Sequence, residues 1–159
     1  MTELEALIFK AGQGEQNRYG DIEYTYSENE RCKFLTQISL LFNHIDPNQN
    51  EQEKISSLLY WSLLGTSEII QVVVVNFLPW MKLPCVKQGF FIFFEENNTD
   101  ESKLRYAHML VTRIRLLPKS QMRSSFEDEL LKKLNNIDQQ ELNQIEREAM
   151  RRLIGSILN

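Results

Sequence analysis

Apolar positions along the 159-residue chain fall into two kinds of pattern. In two places they run together without polar alternation: "IIQVVVVNF" from Ile69 to Phe77, and "GFFIFF" from Gly89 to Phe94. Pro79 and Pro84 punctuate the connection between them. A run of four valines suits a pleated surface and crowds the turns of a helix. The two runs therefore predict paired strands buried on both faces, a small apolar β-hairpin or sheet at the centre of the molecule.

Elsewhere the apolar residues recur at helical spacing, and several segments open on a small polar residue followed three positions later by Glu. That pair can satisfy two free backbone donors reciprocally. Thr2 with Glu5 predicts a first helix through Phe9, broken by Gly12, Gly14 and Gly20. A brief strand is expected over Ile22–Tyr26. Ser27 with Glu30 opens a helix carrying Cys32, Leu35, Ile38, Leu41, Phe42 and Ile45, which Pro47 ends. Asn50 with Glu53 opens the next, which bears Ile55, Leu58, Leu59, Trp61 and Leu63 and stops at Gly65. Asn98 with Glu101 opens a helix running to Leu117, before Pro118. Ser124 with Glu127 and Asp138 with Glu141 open the last two. The final stripe is Leu142, Ile145, Ala149, Leu153 and Ile157. The expected fold is mostly α (α+β), with amphipathic helices packed around the hairpin in a single domain over 1–159.

Composition adds limits rather than a function. Hydrophobic content of 42% with 25% charged residues is ordinary for a globular domain. A net charge of −4 argues against a general nucleic-acid coat or a polybasic membrane binder. Leu58 to Met81 holds only Glu68 as a charge and is long enough to cross a bilayer. Gly65, Thr66, Ser67, Gln71 and Asn76 interrupt it, and no Lys or Arg cluster flanks it, so no membrane span is expected. Two cysteines make no disulfide framework, and "MTELEALIFK" places acids where a leader would be basic. A cytoplasmic setting is expected.

Chemistry-bearing motifs are sparse. His44, His108, Cys32 and Cys85 lack metal-ligand spacing, so no metal or cofactor is expected and no catalytic residue is assigned. The acidic turn Glu95, Glu96, Asp100 and Glu101 lacks the spacing of a calcium loop and reads as solvated. One asymmetry stands out. Six basic residues and no acid lie between Lys103 and Arg123, so removing those six charges from the net −4 leaves −10 for the remainder. Arg105, His108, Arg115, Lys119 and Arg123 form the candidate strip for an anion or an acidic partner, against the plainer expectation of local ion pairs. Met150, Ile154 and Leu158 widen the apolar face of the last helix and are the candidate protein interface.

The leading expectation is a non-enzymatic interaction protein, an accessory subunit of a larger cytoplasmic assembly that binds another protein chain as a hetero- or homo-oligomer. The alternatives are a nucleic-acid-associated subunit using the basic segment 103–123, and a small enzyme with an Arg-lined anion pocket.

Overall fold

The computed structural model describes every residue from Met1 to Asn159. It is mostly α (α+β), 71% helical, with eight α-helices and one two-stranded antiparallel hairpin. Two compact units divide the chain, Met1–Phe90 and Phe91–Asn159.

In the first unit, α1 (Glu3–Gly12) is capped by Thr2, whose hydroxyl accepts from the Glu5 amide. The hairpin follows, β1 (Gly14–Gln16) with β2 (Ile22–Tyr24), Glu15 opposite Glu23. Its loop closes on Asn17, whose side chain accepts from the amides of Tyr19 and Asp21. Gly20 takes φ +86° there. Gly14 is required by crowding, since a Cβ on it would lie 2.6 Å from the Glu23 carbonyl oxygen. α2 (Glu28–Leu41) opens on the expected Ser27–Glu30 capping box. α3 (Gln49–Leu64) opens on Asn48 with Glu51, two residues before the expected pair, and Gly65 closes it.

The central apolar hairpin expected from Ile69–Phe77 and Gly89–Phe94 is absent. Both runs are helical: α4 (Glu68–Val74) continues as a 3-10 turn over Val75–Trp80, and α5 spans Pro84–Glu95. The sheet that does form is polar and exposed, and it includes the expected short strand beginning at Ile22. Burial within the valine run has a helical period: Ile70, Val74, Val75, Phe77 and Leu78 are buried, while Ile69 and Asn76 are exposed. That period is invisible when both faces are apolar. The three valines inside α4 cost together about 2 kcal/mol of helix propensity. Burying a single large aliphatic or aromatic side chain returns about 1.5–3 kcal/mol, so packing decides. Gln71, buried in the same run, donates to the carbonyls of Leu63 and Gly65 and so satisfies the end of α3. Pro84 sits at the first position of α5, where a missing N–H costs nothing.

α1 packs on α2 and α3, and α4 packs on both of those helices. Phe42 sets its ring edge against Phe77 and Trp80. The second unit holds the last residues of α5, then α6 (Asp100–Ile114), α7 (Gln121–Asn135) and α8 (Gln144–Leu158), which pack on one another. Their caps are Thr99, Ser120 and Asn143 rather than the expected Asn98, Ser124 and Asp138. Asp138 instead opens one 3-10 turn. Phe91 packs against Phe126, and Phe93 stacks on Tyr106. No helix is long and apolar enough to cross a membrane.

Candidate functional site

The first unit contains an open groove of about 790 Å³ between α1, the hairpin and α3. Its apolar lining includes Ile8, Phe9, Ile22, Leu58 and Trp61. Phe9 is 57% exposed and Trp61 56%, although residues of this size are usually buried. The cause lies in helix register. Trp61 follows Glu53 and Ser57 along the exposed face of α3, while Ile55, Leu58, Leu59 and Leu63 turn inward.

Arg31 completes the lining, and it is only 7% exposed. It occupies the inward stripe of α2, four residues before Leu35 and seven before Ile38. Its Nε donates to the Ala11 carbonyl at 3.2 Å, and its guanidinium carbon lies 3.3 Å from the centre of the Tyr24 ring. Burial holds its pKa below the ordinary arginine value, against weaker opposing effects of Tyr24, Cys32 and Glu28. Glu5, Glu53 and Lys54 are the other charged residues of the groove.

The basic strip is arranged differently. Arg115, Lys119 and Arg123 do converge, lining a hollow of about 660 Å³ together with Glu127 and residues from the end of α8. Arg123 is committed there: its Nε pairs with Glu127 at 3.1 Å, and its Nη1 donates to the Leu117 carbonyl at 2.8 Å. The C-terminal end of α8 brings partial negative charge to the same hollow, which suits cations and disfavours an added anion. Arg105 lies outside the hollow and pairs with Glu101 on the same helix. His108 is also outside it; partial desolvation lowers its pKa, and Arg115 lowers it further. The three candidates on α8 do not share one exposed face. Met150 is buried in the second unit, Ile154 is half-buried and Leu158 is exposed.

No group of three or more His, Cys, Asp or Glu is placed to hold a metal ion. Both thiols are unpaired, and burial raises the pKa of each. No protein-family model, curated protein or solved structure matches the chain.

Sequence reasoning placed Trp61 on an apolar helix and passed over Phe9 and Arg31 as site residues. One signal was present. An arginine in register with Leu35 and Ile38 belongs to the buried stripe, where a charge needs a reason.

Proposed function

We propose that this protein is a non-enzymatic interaction module, an accessory subunit of a larger cytoplasmic assembly, and that its groove receives a segment of another protein chain. The observation that carries this reading is the pair of large aromatic side chains, Phe9 and Trp61, more than half exposed along one groove. Aromatic anchors flanking a concavity are the residues that dominate protein interfaces. Two free thiols accord with a reducing compartment. The basic segment supports a nucleic-acid role less well, because Arg105 and Arg123 are each paired with a neighbouring glutamate. The same pairing weighs against an Arg-lined anion pocket for catalysis.

The test is affinity purification of the tagged chain from its source cells, followed by mass spectrometry. Parent is compared with Phe9→Ala plus Trp61→Ala, after circular dichroism shows that both are folded. A partner should be enriched with the parent and lost with the double variant. Truncating one interface anchor costs about 2 kcal/mol, or about thirty-fold in affinity. Recovery of the same proteins by both chains, or of none by either, overturns the reading.

A further inference from the structure

Arg31 is a buried groove residue whose burial the fold compensates only in part, through the Ala11 carbonyl and the face of the Tyr24 ring. Of its side-chain donors only Nε is used, on Ala11, and no carboxylate lies within ion-pairing distance of the guanidinium. Every sealed side-chain nitrogen and oxygen in the chain has a hydrogen-bond partner. The two terminal nitrogens of Arg31 have none, so they are not sealed, and Arg31 is among the residues that line the groove. A cation 7% exposed and without an ion-pair partner is costly to keep even over an aromatic ring, whereas a carboxylate fits its planar fork through two parallel hydrogen bonds.

The surroundings narrow the occupant. Glu5 and Glu53 line the same groove and Lys54 offsets only part of their charge, so repulsion grows with ligand charge and is smaller for a single carboxylate at Arg31 than for a polyanion or a phosphate dianion. The hairpin has only two strands, so each keeps one unpaired edge, and Gly14, Ile22 and Tyr24 of that ribbon line the groove. Free strand edges offer backbone hydrogen bonds that a peptide can use and a fatty acid cannot. We propose that the docking segment is an extended peptide presenting one aspartate or glutamate side chain to Arg31, with apolar residues against Phe9 and Trp61. This rests on the docking reading above and adds the chemistry of the partner.

The experiment pans a random dodecapeptide phage library over the full immobilised chain. Clones are then sorted by loss of binding to the Phe9→Ala plus Trp61→Ala variant. Groove-dependent sequences are synthesised with amidated C-termini and titrated by fluorescence anisotropy. Each should contain an acid whose replacement, Asp→Asn or Glu→Gln, weakens binding to the parent about tenfold or more. Against Arg31→Gln the same replacement should change nothing. Arg31→Gln also removes the bond to Ala11, so the peptide-side replacement on the unaltered parent decides the matter if that variant is unstable. Groove-dependent peptides that bind equally well with the acid replaced overturn the carboxylate inference and spare the docking reading. Absence of any clone that depends on Phe9 and Trp61 overturns both.

Discussion

Both carboxylate oxygens of Glu51 are hydrogen-bonded inside the chain, one to the Thr2 hydroxyl at 2.7 Å and one to the Asn48 amide at 2.9 Å. That buried acid is spent on structure, tying the start of α1 to the start of α3. Arg31, equally buried, is only partly engaged, and the contrast separates a structural charge from a candidate binding group. His108 gives a third case, in which environment alters titration. Its folded pKa lies below the ordinary value of about 6.5, through desolvation first and Arg115 second. The neutral ring is therefore favoured in the folded chain. Its stabilising contribution is full above pH ~6.5 and is lost as pH falls through the lower folded value, because the unfolded chain takes up the proton first. The melting temperature of the parent should thus drop more between pH 7.5 and 5.5 than that of His108→Gln. Parallel profiles would show that His108 titrates as in the unfolded chain.

At the scale of elements, the crossing of α3 and α5 depends on a glycine. A Cβ on Gly89 would stand 2.8 Å from the Leu59 Cβ and 3.2 Å from the Ser56 carbonyl oxygen. Neither atom is the far end of a flexible side chain, so the helices must separate to admit it. Overpacking of this kind costs about 1–3 kcal/mol, while replacing a mid-helix glycine by alanine returns up to about 1 kcal/mol of propensity. Gly89→Ala is expected to be net destabilising by about 1–2 kcal/mol in urea titration. Gly155→Ala in α8 isolates the propensity term, since nothing lies within 4 Å of its added methyl. It should be neutral or stabilising by up to about 1 kcal/mol. If Gly89→Ala is as stable as Gly155→Ala, the close approach of α3 and α5 is wrong.

At the scale of the whole molecule, α5 is one uninterrupted helix whose buried Val86 and Phe90 fall in the first unit and whose buried Phe91 and Phe94 fall in the second. We propose that the two units unfold together as one cooperative domain. Trp61 and Trp80 both lie in the first unit, so tryptophan fluorescence reports on that unit alone, whereas far-ultraviolet circular dichroism reports on helices of both. The two signals should give coincident urea transitions. Separate midpoints would make the units independent domains.

Helix content, the Ser27–Glu30 capping box and the stop at Gly65 were determined by residues close together in the sequence, because caps and glycine stops act over three or four positions. The inward stripe of α2 was legible for the same reason. Ile69–Phe77 was not, since a segment apolar on every side carries no period of its own. Its neighbours α2 and α3 decided which residues are buried, and so which backbone the run adopts. The caps of α3, α6 and α7 moved because polar residues cluster before each, giving several candidates of equal local merit. The groove was beyond sequence altogether: Phe9, Arg31 and Trp61 come from three helices, and only their packing sets two aromatic rings and a partly engaged guanidinium around one opening.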